Sequence, residues 1–340
     1  MPNLSRTIDY GDGFTASMDN WWPNLVDQVH EANPFWEDMN KRGKTRESGG
    51  NVVVTPILRS ENTTVDSYAP GEDVNTDQND IMTIVTQDRR YIAGSIQTTP
   101  EEESVNSGDE KMIDLIDARL ENLEVSMKRF ASRALWQFSA GNGGRSPDPL
   151  PLAIISNPTA ATPFMGLDPS AEPVWRNEQL DSSATSWAGL KQEFQRIVGL
   201  IQRHEMGDPD FAVCDWTTWH IINSAFSSLV RIPDKDDVRY GFKHKGVYIG
   251  STMLYPDNLV PDSQNQLLYN QSPSTGSLYV MSTDYIRLEY GRGLNMKRMP
   301  WVWSQKKTGR AMKVLLSVNL IATARRMLGV LENISQTIAA

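Results

Sequence analysis

The residues with the clearest capacity for chemistry are His204, Asp208 and Asp210, with Glu205 among them. An imidazole and carboxylates this close in sequence could hold a divalent cation or activate a water for hydrolysis. A plainer reading fits the same letters. His204 ends an amphipathic stretch and Gly207 follows it, the composition of a helix C-terminus where a cation suits the terminal carbonyls. The chain has four histidines, His30, His204, His220 and His244, and none falls in HExxH or another ligand spacing.

Other catalytic patterns are missing. The single cysteine, Cys214, excludes an internal disulfide and thiolate zinc sites, and its place in DFAVC (210–214) reads as a small core residue. GxSxG and GxxxxGK[ST] are absent, and GRGLNMK at 291–297 reads as a turn between strands. The acidic runs at 101–103 and from Asp234 to Asp237 read as solvated. One basic tract stands out: Lys297, Arg298, Lys306, Lys307, Arg310 and Lys313, interleaved with Trp301 and Trp303. Charge plus stacking is the pattern of nucleic-acid contact. Strand alternation explains the spacing equally well, and the reading adopted is a hairpin with tryptophans in the core and cations outside.

The elements that would position these residues follow from periodicity. Trp22, Leu25, Val26 and Val29 behind Asp19 predict a helix that Pro34 interrupts, and PFWEDMNKRG gives a second short piece ending at Gly43. After Gly49 and Gly50 the chain turns β-branched. Strands are predicted over Asn51–Leu58 and Ile81–Ile96, the second bent near Asp88, Arg89 and Arg90, with a polar, turn-rich stretch between them. An isolated hairpin is marginal in water, so this arm must lie on something: its own domain or a neighbouring subunit.

Ser107 and Glu110 form a capping box. Met112, Ile116, Leu120, Leu123, Met127, Phe130 and Ala134 then make one stripe of a helix over Ser107–Phe138, expected to pack across a sheet. A helix over Ser186–His204, a strand over Asp210–Cys214, a helix over Trp216–Leu229 and strands over Gly246–Tyr255 and Leu278–Met281 suggest an α/β lobe. Strands return over Ile286–Tyr290, Pro300–Ser304 and Met312–Ala322, with a short helix expected over Arg325–Ile334.

Composition narrows the function. The 340 residues carry a net charge of −9, which argues against a protein that binds nucleic acid by counterion release. Only 39% of residues are hydrophobic, so some segments are expected to gain burial from neighbouring subunits. The start lacks an apolar leader, and Val314–Ala324, interrupted by Ser317 and Asn319, is too short to span a bilayer. No membrane association and assembly in a cytoplasm are expected.

The order of elements carries a resemblance. So do NPFWEDMNKRG at 33–43, GGNVVVTPI at 49–57, VWRN at 174–177, GDPDFAVCDWTTW at 207–219 and the FKHKGVYIG to LYPDNLVP run at 242–261. From about Asn20 to Ile334 the chain resembles the major capsid proteins of tailed bacteriophages with the Hong Kong 97-like fold. The resemblance implies an α+β fold with an N-terminal arm (1–48), an extended β-hairpin loop (49–105), a peripheral domain (106–179) with a spine helix at 107–138, an inserted axial α/β domain (180–284) and returning peripheral strands (285–340). It implies a non-enzymatic subunit, without cofactor or metal, that self-assembles into pentamers and hexamers of an icosahedral virion shell. The shell would enclose double-stranded DNA without reading its sequence, and an acidic wall would suit such a container. Portal and decoration proteins are implied as further partners. The short stretch before the hairpin predicts a separate scaffolding protein and little cleavage. Tyr68, Arg89 and Arg90 on the loop, and Arg231, Asp234 and Arg239 in the lobe, are the expected inter-subunit contacts. An encapsulin-type nanocompartment shares the fold and is the related alternative. A hydrolase using His204, Asp208 and Asp210 is the alternative of another class.

Some members of that family cross-link their shells through a loop lysine and a neighbour's asparagine. This chain has no lysine from Arg46 to Val105, and arginine cannot supply that amine. Assembled particles should therefore dissolve to monomers on a denaturing gel; a ladder of covalent oligomers would contradict this.

Overall fold

In a computed structural model the structure describes residues 34–41, 45–77, 80–105, 115–137, 141–226, 247–260, 275–303 and 308–335. The helix expected behind Asp19, the Ser107–Glu110 capping box, and Arg231, Asp234 and Arg239 lie outside these residues. Along the chain come α1 (Pro34–Lys41), β1 (Thr45–Ser48), β2 (Val52–Leu58), β3 (Met82–Asp88), β4 (Tyr91–Thr98), α2 (Pro100–Val105) and α3 (Leu115–Leu135). Then follow β5 (Glu178–Asp181), α4 (Trp187–Gln202), β6 (Phe211–Cys214), α5 (Trp216–Ala225), β7 (Val247–Ile249), β8 (Thr252–Pro256) and β9 (Gly276–Met281). The last strands are β10 (Ile286–Gly291), β11 (Lys297–Arg298), β12 (Val302–Trp303), β13 (Arg310–Ala322) and β14 (Leu328–Ile334). No helix among the described residues is long and apolar enough to cross a membrane.

The chain forms two compact units. The larger takes residues 32–91, 131–292 and 317–340. Its centre is a mixed six-stranded sheet in the order β5-β14-β9-β6-β8-β7. Successive strand residues face opposite sides, and both sides of this sheet are covered. On one side, Ala212, Cys214, Leu278 and Val280 meet Leu190, Phe194, Ile197 and Ile201 of α4, and Ile222 and Ala225 of α5. Burying the four α4 side chains contributes about 6–12 kcal/mol before entropy is counted. The helices begin as their sequences dictate: Ser186 Oγ accepts from the Gly189 N–H at 3.3 Å, and the Asp215 carboxylate accepts from the Thr218 N–H at 2.9 Å. On the other side lies an aromatic cluster, with Phe35 5.5 Å from Trp136, Trp136 5.4 Å from Tyr279 and Phe211 5.3 Å from Tyr255 between ring centroids.

Residues 328–334 overturn one expectation. The short helix expected over Arg325–Ile334 is a single 3-10 turn at Arg325–Met327 followed by β14. Pairing decides it: β14 runs parallel to β5 on one side and antiparallel to β9 on the other, which satisfies its backbone on both edges. Gly329 lets α4 cross this strand closely, since a Cβ there would stand 3.0 Å from Ile201 Cδ1.

The smaller unit holds residues 92–130 and 293–316 among those described. There α3 packs on β4, and a Cβ at Gly94 would stand 2.5 Å from Leu123 Cδ1, so a larger residue would have to displace that side chain. Arg119 makes a bidentate pair with Glu102, at 2.9 and 3.1 Å, that holds the glutamate's carboxyl below its usual range and joins α3 to α2. The expected stripe on α3 holds at Leu120, Met127 and Ala134, but Phe130 is exposed and Ala131 is buried in its place.

A buried polar network in the larger unit ties the bend between β3 and β4 to β13. Asn319 Nδ2 donates to Asp148 Oδ2 and to the Asp88 carbonyl, at 2.9 and 2.8 Å, and its Oδ1 accepts from the Asp148 N–H at 2.8 Å. Gln87 also donates to Asp148. The asparagine that interrupts an apolar strand is therefore a full hydrogen-bonding partner. Removing it takes one donor from the buried Asp148 carboxylate, which keeps Gln87 and Arg90, and leaves the Asp148 N–H and the Asp88 carbonyl without this partner. Asn319→Ala should lower stability by about 2–4 kcal/mol in chemical denaturation; a change within experimental error would show that the network is not structural.

Candidate functional site

Among the described residues the hairpin β2–β3 is a two-stranded sheet with no third strand. Its register pairs Val52 with Asp88, Pro56 with Ile84 and Leu58 with Met82, seven pairs in all. Opposite residues share a face, so the hairpin has two distinct sides. One carries Val53, Thr55, Val85 and Gln87, all buried within the chain. The other carries Val52, Val54, Leu58, Met82 and Ile84, all exposed; Leu58 is 71% and Ile84 61% accessible. This face, which also carries Thr86 and Asp88, leaves five large apolar side chains uncovered by the chain's described residues.

The root of this hairpin is pinned. Arg89 donates to the carbonyls of Ser48, Gly49 and Gly50 at 2.7, 3.1 and 2.6 Å. Arg90 reaches Asp148 at 3.5 Å. The Thr86 N–H donates to the Met165 carbonyl at 3.1 Å, and Arg59 Nε donates to Glu172 at 2.9 Å. Between the hairpin's base and the residues Trp175, Met206 and Tyr285 lies a cavity of about 600 Å³. Its floor is held by the WRN motif. Trp175 Nε1 donates to the Phe164 carbonyl at 3.1 Å, Arg176 Nε to the Pro169 carbonyl at 2.7 Å, and Asn177 exchanges hydrogen bonds with both backbone groups of Ile155. Arg325 stacks on Phe164 and Trp175 and donates to the Ala153 carbonyl at 2.8 Å. Burial lowers its pKa to about 10, so it remains a cation at neutral pH.

Beyond the strands, residues 59–77 and 80 form the loop tip. Short local bonds shape it: the Asn62 side chain accepts from the Thr64 N–H at 3.0 Å, and Glu72 accepts from the Ala69 N–H at 2.9 Å. Tyr68 is 69% accessible there. Of the residues expected to contact neighbours, Tyr68 is thus presented outward, whereas Arg89 and Arg90 have partners within the chain.

The histidine and carboxylates do not form a site. His204 Nε2 lies 2.7 Å from Glu178, Asp208 accepts from Gln202 at 2.9 Å, and Asp210 accepts from the N–H and hydroxyl of Thr283 at 2.7 and 2.6 Å. Each carboxylate serves a different local contact, and no metal-binding cluster occurs among the described residues. Cys214 is wholly buried, and desolvation pushes its thiol well above the ordinary range.

The basic tract needs a correction. Its tryptophans do not enter the core: Trp303 is 62% accessible, and Trp301 lies under the Arg310 guanidinium at 5.0 Å. The core side of β13 is supplied by Met312, Val314 and Leu316, and the two-residue strands β11 and β12, broken by Pro300, add no buried side chain of their own.

No protein-family model matches the chain, and no curated protein matches it in sequence. Solved structures do. The capsid asymmetric unit of cyanophage A-1(L) matches with a TM-score of 0.71 at 11% identity, over 98% of this chain and 99% of that one. The capsid of a native GTA particle gives 0.58 at 10% identity, over 98% and 100%. The holo-SrpI encapsulin complex from Synechococcus elongatus PCC 7942 gives 0.57 at 9% identity, over 95% and 96%.

The three carbonyl contacts of Arg89 make it a positioning residue for the hairpin. Arg89→Ala should speed hydrogen exchange of the β2–β3 amides by about ten-fold, the equivalent of one or two lost hydrogen bonds. Exchange in β6 should not change. Equal rates in the hairpin would show that Arg89 does not hold its root.

Proposed function

We propose that this chain, which has the Hong Kong 97-like capsid fold, is a major capsid subunit. In this reading it self-assembles into pentamers and hexamers of an icosahedral shell that encloses double-stranded DNA. The observation that carries it is the hairpin: one face anchors the strands to their own chain, and the opposite, apolar face is left for another molecule. A heterologous contact of this kind, repeated by rotation, closes into rings and shells. Residues 1–48 act as the arm, 49–105 as the extended loop, 106–179 and 285–340 as the peripheral domain and 180–284 as the axial domain. Tyr68 contacts the neighbour directly, and Arg89 and Arg90 act through the hairpin they hold. Arg231, Asp234 and Arg239 contribute contacts around the axes. A separate scaffolding protein, a portal and decoration proteins complete the set of partners, and assembly takes place in the host cytoplasm.

The subunit's role is mechanical, so its test is assembly. Expressed protein should form closed particles in negative stain, and DNA-free particles filled with a protein cargo would favour the encapsulin alternative. Ile84→Glu places a charge in the centre of the apolar face without touching the root. It should leave the subunit's circular dichroism unchanged and abolish particles; normal particles from this variant would overturn the assignment of the face.

A further inference from the structure

Two cavities of the larger unit differ in character and share a wall. The first is the cavity of about 600 Å³ at the base of the hairpin, with Leu58, Val174, Trp175, Met206 and Tyr285 as its apolar sides. Leu58 and Met206 stay exposed there, 71% and 39% accessible. Among its charged groups, Arg59 pairs with Glu172, and Glu61 is exposed on the hairpin side. Arg326 is the third, on the side of the lobe.

The second cavity, of about 440 Å³, is lined by Arg176, Arg203, His204 and Arg326, with Glu178 as its only carboxylate among the described residues. Val174 and Arg326 line both cavities. Glu178 is already engaged: Arg203 donates to it at 3.1 Å, and His204 Nε2 lies 2.7 Å away. Arg203 and His204 have a second task, since cations at the C-terminus of α4 offset its terminal carbonyls. Arg176 and Arg326 do not. Arg176 donates to the carbonyls of Pro169 and Ser170, at 2.7 and 3.1 Å, which sets its direction without neutralising it. The Arg326 side chain makes neither a hydrogen bond nor an ion pair among the described residues. Three guanidinium groups against one carboxylate leave an excess of two positive charges with His204 neutral. In a chain of net charge −9, such a pocket favours an anion, and the planar N–H forks of arginine match carboxylate and phosphate oxygens.

We propose that the two cavities form one binding site for a single-chain amphiphile with an anionic head, a fatty carboxylate or its phosphate counterpart. The apolar body lies between Leu58, Met206 and Tyr285. The head reaches past Val174 to Arg326 and Arg176. Volumes of about 300–1,000 Å³ are usual for sites that enclose a small molecule, and mostly apolar walls with a few convergent polar groups are their usual lining. Neither half of the site is satisfied alone. A small anion would leave Leu58 and Met206 in water, and an uncharged chain would leave Arg326 without a partner. A molecule with both parts covers the apolar wall and pairs the guanidinium. It would also tie the base of the hairpin to the lobe. The site belongs to the single subunit, so the proposal goes beyond the capsid reading and does not rest on it.

The test is calorimetric titration of the full-length, dissociated subunit with decanoate below its micelle concentration. One decanoate should bind per chain, with 1-decanol and acetate each weaker by about ten-fold or more. Arg326→Gln should weaken decanoate by about ten-fold and leave decanol unchanged, a split that a merely structural arginine would not produce. Met206→Glu and, on a different element, Leu58→Glu should each weaken both ligands; either variant suffices if the other loses the wild-type circular dichroism. Bound decanoate should slow hydrogen exchange at residues 55–60 and 203–206. Decyl phosphate in place of decanoate identifies the head: whichever binds more tightly names it, and both results support the site. Decanol that binds as tightly as decanoate would overturn the proposal. So would uptake of many equivalents per chain without saturation, or wild-type affinity in Arg326→Gln.

Discussion

A two-stranded sheet with apolar side chains on both faces can bury only one of them in its own chain. That constraint governs the hairpin β2–β3 and, through it, the use of the whole molecule. Val53, Thr55, Val85 and Gln87 face inward; Val54, Leu58, Met82 and Ile84 face out. The outward face would be an aggregation hazard if the hairpin could tilt or slip. Its root is accordingly over-determined, with Arg89 on three carbonyls and Asp148 collecting Gln87, Asn319 and Arg90. The cost of burying that carboxylate is offset by the bonds it receives. The result is a surface held in one orientation.

The same logic places the chain's other unusual features. The WRN connector is rigid because Trp175, Arg176 and Asn177 each bond to a backbone group, and the buried Arg325 stacks behind it. The lobe is rigid because its sheet is covered on both faces, by helices on one and by an aromatic cluster on the other. The side chains with chemical capacity are spent on these tasks. His204 pairs with Glu178, Asp210 positions Thr283, and Cys214 fills a core.

Much of the fold was legible in the sequence because its signals are local. The helices beginning near residues 186 and 216, the apolar stripe of α4 and the buried run FAVC all depend on residues a few positions apart. What was not legible depends on distant partners. Residues 328–334 become a strand because β5 and β9 flank them, and no property of LGVLENI alone says so. The outward apolar face was hidden because VVVTPIL is apolar at both parities, so alternation gives no direction. The intrachain partners of Arg89 and Arg90 were not legible for a related reason: the carbonyls and carboxylate they serve lie at residues 48–50 and 148, far from the bend in sequence. Trp303 was assigned to the core by alternation, which holds only where something lies beneath the strand.

Whether the outer hairpin face is covered by a neighbour can be measured at a single atom. The only native thiol, Cys214, is buried with its pKa pushed up by desolvation and is silent to a thiol reagent at neutral pH. A thiol introduced by Ile84→Cys would therefore report alone. The account predicts rapid labelling at residue 84 in dissociated subunits and protection in assembled particles. Labelling at the same rate in both would contradict it.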